Sequence, residues 1–478
     1  MMSEKLKNKN LDQNFRVKGV WWVPSTEDKQ EIAGELVYED GRITLELFGS
    51  FEEDIFLEHK HYEVIFGFTS NGDKITLLNV IRTQSKMSFP GFPIRVYTAH
   101  MMLAGIHLSS IHSPEIHSAA FNITYLSEWL SITTFKTSKT MNKDNTLQEI
   151  HVRYRFPEVF SFTCNINGQQ TTVQSTYFIN TSRDGIDRLN MSHSSYLKIT
   201  PESNQSIDWF RRTIFEIKSL LTLLTGHTLL FNKIMIYGNA EKKDSGEIGE
   251  KGLLFLGQFK PSTKRELQSH DLLITYKDLQ GEFQSVFSKW FELKEELHPI
   301  YNLVVSNFYH HPYLEVDFLN LMHSIEGFHR IRYGGEYVEQ EEYEFYLKRI
   351  NEIIDSEILN KDLKQRLKRM LIYGNEFSLR KRIKDLFSKM DEETIKILIG
   401  NNKKSNSFID KIVNIRNDLT HPNKENVSNL IQIDELSRIN HQLKCFAMIL
   451  LLTTLGVPEK MIAQKLKENR FYNITLDE

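Results

Sequence analysis

The hydrophobic period of this chain changes near residue 280, and this change constrains the fold more than any other sequence feature. Before residue 280, short segments alternate bulky and polar residues, as half-buried strands do. After it, apolar residues recur every three or four positions, as on the buried face of a helix. A chain of 478 residues is also too long for one ordinary core. We therefore predict a two-domain α+β protein, with domains at 1–280 and 281–478.

The first predicted domain is rich in strands. The dipeptides Asp40-Gly41, Asn71-Gly72 and Asn167-Gly168 favour hairpin turns between strands. One helix interrupts the pattern at 208–225, where Gly226 is a plausible C-cap. We expect a β-rich, sandwich-like fold. The predicted strands lie at 43–48, 61–66, 150–162, 171–179, 233–237 and 252–255.

The second predicted domain is an all-α helical bundle. Its few prolines, Pro299, Pro312, Pro422 and Pro458, all stand at predicted helix edges. The predicted helices lie at 283–298, 312–330, 339–358, 361–373, 378–390, 407–420, 433–455 and 459–468.

Composition excludes several classes of function. The net charge is −3, so any nucleic-acid surface must be local. Cys164 and Cys445 are too far apart in sequence for a zinc ribbon, and the His310-His311 pair and His323 have no acidic neighbours in ligand spacing. There is no glycine-rich phosphate loop and no nucleophile elbow. No signal peptide or membrane span is evident, so we expect a cytoplasmic protein without metal or other cofactor.

An arginine five residues before a histidine suits metal-independent RNA cleavage, because arginine can stabilise the charged transition state while histidine moves a proton. This spacing is a weak signal, since chance predicts roughly one such pair in a chain of this composition. The chain contains four such pairs, and three of them lie in turn-rich or polar segments without a packed helix. The four pairs are Arg95/His100, Arg188/His193, Arg265/His270 and Arg416/His421.

The fourth pair stands on a predicted amphipathic helix, in SFIDKIVNIRNDLTHP. Its apolar stripes place Arg416 at the margin of the packed face, and Asn417 and His421 share the neighbouring polar face. Pro422 should end the helix at His421, where the helix dipole favours a protonated imidazole. The alternative is an Arg/Asp surface network whose histidine caps the helix.

The amphipathic helix ending in R-N-x-x-x-H, followed by a long apolar helix, resembles the HEPN ribonuclease superfamily. The segment 314–330, ending in LMHSIEGFHR, resembles an earlier helix of ApeA-like HEPN domains. In the first half, KGVWWVPSTEDKQEIAGELVYEDGRITLELFGSF at 18–51, FNITYLSEWL at 121–130 and the helix at 209–225 resemble the β-rich N-terminal domain of the ApeA family of bacterial anti-phage proteins.

This resemblance implies an endoribonuclease that cleaves cellular RNA, with tRNA as the expected substrate, and so arrests growth after infection. It implies His421 as general acid or base, Arg416 as transition-state clamp and Asn417 as an orienting donor, with Glu326 and Asp418 as supporting candidates. It also implies a homodimer or a higher even-numbered oligomer, and we expect a phage-derived trigger.

A basic segment at 361–384 carries nine cations and two acids, Asp362 and Glu376, and is a candidate for RNA phosphate binding. The alternative is a set of solvated helix faces. The candidate RNA-binding residues are Lys364, Arg366, Lys368, Arg369, Arg380, Lys381 and Arg382.

Two other functions compete with the ribonuclease. One is a non-catalytic HEPN protein whose helical half dimerises and whose β-rich half binds a partner. The other is the toxin of a HEPN toxin–antitoxin pair.

Overall fold

A computed structural model describes residues 6, 8–24, 30–51, 60–86, 90–243, 246–258, 265–310, 313–421 and 431–473. The chain divides into two compact units, Met1–Phe291 and Glu292–Glu478. The α+β fold class is confirmed, with a β-rich first part and a helical second part.

The β-rich unit contains fourteen strands among the residues that the structure describes. Their bounds are β1 Phe15–Trp22, β2 Ile32–Glu39, β3 Arg42–Leu47, β4 His61–Thr69, β5 Lys74–Lys86, β6 Ile94–Ala104, β7 Ile116–Ile123, β8 Phe135–Met141, β9 Leu147–Tyr154, β10 Ser161–Ile166, β11 Gln169–Asp184, β12 Arg188–Pro201, β13 Phe231–Lys243 and β14 Gly246–Leu256.

Twelve of these strands form one sheet, in the order β10-β11-β12-β7-β13-β14-β6-β3-β2-β1-β4-β5. Strand β6 also pairs with β5, so β1 to β6 close into a barrel from which the other six strands extend. Strands β8 and β9 form a separate hairpin. A single sheet that closes on itself thus replaces the expected sandwich-like layering, because residue alternation defines the two faces of a strand but not its partners.

The predicted hairpin turns are present. Asp40 and Gly41 join β2 to β3 with φ of 50° and 79°, and Asn167 and Gly168 join β10 to β11 with φ of 52° and 80°. Both residues of such a turn need positive φ, which asparagine, aspartate and glycine tolerate best. Gly72, with φ of 81°, lies between β4 and β5.

The described residues of this unit include the one-turn helix α1 Leu126–Trp129 and the longer helix α2 Ile207–Thr225. The side chain of Ser206 caps α2 by accepting from the Trp209 amide, and Gly226 ends it with φ of 72°, as predicted. Phe210, Ile214 and Leu221 are among the residues that α2 buries.

The helical unit follows the predicted order with one addition. Its helices are α3 Phe283–Tyr309, which begins in the first unit, α4 Leu314–Tyr333, α5 Gln340–Ser356, α6 Lys361–Ile372, α7 Leu379–Ser388, α8 Glu392–Ile399, α9 Ser405–Thr420, α10 Ile433–Thr454 and α11 Glu459–Glu468. Helix α4 packs against α10, α7 and α9, and α8 packs against α11.

Two sequence-based expectations for this unit were wrong. Helix α3 continues through Pro299, which was expected at a helix edge; buried Leu297, Ile300 and Val304 hold both sides of the proline in one helix. Helix α8 was not predicted, because its eight residues are too few to establish a period. Pro312 and Pro422 lie outside the described residues, and Pro458 stands at the N-terminal edge of α11, as expected.

The division between the units falls inside α3, after the change of period at residue 280. The first turns of α3 belong to the core of the β-rich unit. There the rings of Phe283 and Phe287 lie 5.7 and 5.3 Å from the ring of Phe162. The period of apolar residues therefore predicts where a helix starts, but it does not predict with which domain core the helix packs.

Candidate active site

Helix α9 carries the candidate catalytic residues. It buries Ile409 and Ile412, and half-buries Ile415 and Leu419, so one apolar stripe attaches it to the unit. The helix ends at His421, whose φ of −131° and ψ of 63° leave the helical region. The amide of His421 still donates to the Asn417 carbonyl at 2.8 Å. The histidine therefore caps the last turn, and its side chain is exposed.

Arg416 lies at the margin of the packed face. Its side chain is 33 % exposed, and its Nη1 donates to Oδ1 of Asn417 at 3.3 Å. Its Nη2 lies 3.8 Å from Oε2 of the half-buried Glu326 on α4. The structure therefore brings Arg416, Asn417 and Glu326 together, and it places Asp418 and His421 on exposed positions of the same helix end.

Glu326 is shared between two arginines. Its Oε1 accepts from Nε and Nη2 of Arg330 at 3.2 and 3.0 Å, one helical turn along α4. Arg330 also forms an ion pair with Glu376. Burial disfavours the charge on Arg330, but the hydrogen bonds to Glu376 and Glu326 outweigh it and raise its pKa. Sequence reasoning missed Arg330, although its spacing of four from Glu326 was visible as a helical ion pair.

The basic helix α6 has no buried side chain, and Arg366 and Arg369 are exposed on it. Lys364 donates to the Asp355 carbonyl at 2.9 Å, and Lys368 contacts the Asp355 carboxylate at 2.6 Å. Both lysines thus contact Asp355 within the helical unit, whereas Arg366 and Arg369 are exposed to solvent.

The basic residues of α7 have separate environments. Arg380 pairs with Asp410 at 2.7 Å, and the Lys381 ammonium lies 5.2 Å from the centre of the Phe377 ring. Arg382 is only 1 % exposed, so it does not share the surface expected of an RNA-binding cation. Its neighbours Ile383 and Leu386 are buried with it, and a count of charges along the sequence cannot distinguish this position.

The other arginine–histidine pairs do not form comparable sites. Arg95 and His100 lie on β6, and Arg188 and His193 lie on β12. Residues five apart on a strand point to opposite faces, so the two side chains of each pair diverge. Arg265 precedes a short turn of 3₁₀ helix, Ser269–Asp271, that contains His270.

The described residues lack two kinds of feature. They contain no group of three or more histidine, cysteine, aspartate or glutamate side chains positioned to hold a metal ion. His311, of the histidine pair considered above, lies outside them. None of the helices they form has the length and apolar character to cross a membrane.

The fold and the site together define a two-domain HEPN-type protein, in which a β-rich domain precedes a helical domain bearing Arg416 and His421. Family models agree with this class: "ApeA N-terminal domain 1" matches residues 16–290, and "Apea-like HEPN" matches residues 319–461. The chain belongs to the ApeA family, which places it among HEPN-type anti-phage defence proteins. No curated protein and no solved structure matches the chain significantly.

Proposed function

We propose that this protein is a metal-independent endoribonuclease that cleaves cellular RNA, tRNA foremost, after phage infection and thereby arrests growth. The observation that carries this proposal is the position of Arg416 at the margin of the packed face of α9, one turn before that helix ends at the exposed His421. A fixed positive charge and an imidazole that can transfer a proton suit transesterification at a phosphate.

In the proposed reaction the 2′-hydroxyl of the RNA attacks its own 3′-phosphate. The new 2′-O–P bond forms as the bond to the 5′-oxygen breaks, and a proton passes from the 2′-hydroxyl to a base and from an acid to the leaving oxygen. His421 serves as one of these groups. Arg416 stabilises the negative charge of the transition state, Asn417 orients the phosphate by hydrogen bonding, and Glu326 and Asp418 support them.

The proposed assembly is a homodimer or a higher even-numbered oligomer. The reaction needs a proton acceptor and a proton donor, whereas one chain supplies one Arg416/His421 set. A second copy would supply the other histidine. We also propose that a phage-derived molecule triggers the enzyme, and that it acts in the cytoplasm.

The test compares purified full-length variants on total tRNA, with EDTA present. Arg416→Ala and His421→Ala should each lower the cleavage rate roughly 10²–10⁴-fold, because each removes transition-state stabilisation or proton transfer. Circular dichroism and thermal melting should be unchanged, since Arg416 lies at the margin of the packed face and His421 is exposed at the end of the helix.

Matched controls are Arg438→Ala and His323→Ala, which remove an exposed arginine and an exposed histidine elsewhere in the helical unit. Both should retain the wild-type rate. Wild-type rates in the Arg416 and His421 variants would rule out the catalytic assignment. They would favour the rival function, a non-catalytic binding protein, in which the Arg416–Glu326 contact belongs to a surface charge network.

A further inference from the structure

A cleft of about 780 Å³ opens in the helical unit. Its walls come from the end of α4, the segment 334–339 that follows, and α7 with the residues on either side of it. Arg330 lines it and shares the Glu326 carboxylate with Arg416, so Arg330 and Glu326 connect the cleft to the candidate active site.

Two buried side chains, His329 and Arg382, form part of its lining. Arg382 donates from Nη1 to Nδ1 of His329 at 3.1 Å, so the imidazole proton lies on Nε2, which donates to Asp385 at 3.0 Å. Arg382 also donates to the Gly334 carbonyl and contacts Glu376. Its Nε is buried and has no hydrogen-bond partner among the described residues. A buried donor without a protein partner is uncommon, and a bound water, ion or ligand can supply the acceptor.

The loop beside these side chains is tightly fitted. Gly335 has φ of +101°, and a Cβ there would lie 2.9 Å from Phe377, 3.0 Å from His329 and 3.1 Å from Arg382. Two backbone hydrogen bonds, Tyr337 to Asn375 and Phe377 to Gly335, both 2.9 Å, fix the loop against the start of α7. The cleft is therefore preformed rather than assembled by a mobile segment.

Aromatic rings line the cleft at positions open to solvent. Tyr333 and Tyr337 are 48 % and 56 % exposed, and the ring of Tyr337 meets that of Phe377 at 5.0 Å and 64°. Exposed aromatic rings beside a polar recess resemble the stacking platforms that hold nucleobases.

We propose that this cleft is a nucleobase-binding site. In the proposed ribonuclease reaction, on which this role rests, it holds a base of the RNA next to the scissile phosphate. The charges lining the cleft favour a base over a bare phosphate: Glu336, Glu339, Glu376 and Asp385 offset Arg330, Arg382 and Lys389. Base edges present both donors and acceptors, which such a mixed lining can satisfy, whereas a phosphate presents acceptors only.

The test titrates the full-length protein with AMP, GMP, CMP and UMP and, separately, with inorganic phosphate, by calorimetry. At least one nucleotide should bind, and phosphate should bind at least about 10-fold more weakly. Tyr337→Ala should weaken nucleotide binding about 5- to 100-fold, as the loss of one stacking ring predicts. Tyr337→Phe should restore it. The matched control is Tyr313→Ala, which removes a tyrosine that is 83 % exposed and lies outside the cleft.

Three results would overturn the assignment of the cleft as a nucleobase-binding site. They are no nucleotide binding at about 10 mM, equal binding of phosphate, and nucleotide binding that Tyr337→Ala leaves unchanged. A cleavage assay then tests its role with RNA. Tyr337→Ala should raise KM and relax the base preference beside the cut more than it lowers kcat, and unchanged KM and preference would refute that role. If the wild type binds nucleotides through Tyr337 but cuts no RNA, the base site stands and the ribonuclease proposal fails.

Discussion

His329 carries a buried imidazole between an arginine and a carboxylate. Burial lowers its pKa, the hydrogen bond to Asp385 raises it, and the charges of Arg382 and Lys389 lower it further, with a net decrease. The neutral form is therefore favoured, in keeping with Nδ1 accepting from Arg382. The pKa of Asp385 is lowered as well, because hydrogen bonds from Lys389 and His329 outweigh the effect of burial.

We expect His329 to titrate below the ordinary histidine pKa of about 6.5. The unfolded chain then binds more protons than the folded one, so this group's contribution to stability is present above that pH and is lost as pH falls through the folded pKa. Asp385→Asn removes a contact that raises the pKa, so it should lower the His329 pKa further. NMR titration of labelled histidines measures both values, with the exposed His323 as reference. A His329 pKa at or above 6.5 would contradict the account.

Arg416 and Arg382 show how far the sequence predicts the burial of a single side chain. The spacing of Ile409, Val413 and Arg416 within one helix predicts a half-buried arginine, and Arg416 is half-buried in the structure. Arg382 was predicted as a surface cation, and its burial follows from packing between α4 and α7, far apart in sequence. The same holds for the contact of Arg330 with Glu376. Contacts within a helix follow from its period, whereas contacts between helices depend on how they pack.

Helix α6 combines strong local charge with no buried side chain. Its apolar residues Leu363, Met370 and Ile372 are exposed as well. Arg366 and Arg369 line a recess of about 530 Å³ with Tyr373. An exposed helix of this kind can contact an RNA backbone through its arginines, and we keep α6 as the proposed phosphate-binding element.

Charge reversal at Lys364, Arg366 and Arg369 together should weaken RNA binding and flatten its salt dependence. Each phosphate contact that is lost should reduce the log–log slope by roughly 0.7 for single-stranded RNA. Filter binding at two salt concentrations measures affinity and slope, and the cleavage rate at saturating RNA should be retained. The control variant reverses Lys460, Lys467 and Arg470, three exposed cations near the C-terminus, for the same change in net charge. Equal effects of the two variants would show that α6 is not the RNA path.

Some helices and strands could be predicted from the local sequence, and others could not. Helix α2 was predicted almost to the residue, because an apolar stripe and a C-terminal glycine mark it locally. The closure of the barrel was not predicted, because it depends on the pairings of β3 with β6 and of β1 with β4, which join strands that are not consecutive in the sequence. The predicted strand at 150–162 is divided between β9 and β10, since alternation continues across the break at 155–160.

At the scale of the whole molecule, charge is arranged locally rather than as a global field. The net charge is −3, yet basic residues collect on α6 and α7, and Arg416 stands beside the end of α9. A weakly acidic protein of this kind does not bind RNA unspecifically through its overall charge. The proposed activity on RNA then requires the local site.

After phage infection, cells with the wild-type protein should accumulate new RNA ends, with 2′,3′-cyclic phosphate or 3′-phosphate on the upstream fragment, because the 2′-hydroxyl is the proposed nucleophile. Cells with His421→Ala should lack these ends and continue to grow until the phage lyses them, since the variant loses proton transfer but keeps the fold. Sequencing of RNA ends before and after infection, with His323→Ala as the control, measures this directly. Ends bearing a 3′-hydroxyl would show a different chemistry, and identical ends in wild-type and His421→Ala cells would assign the cleavage to another enzyme.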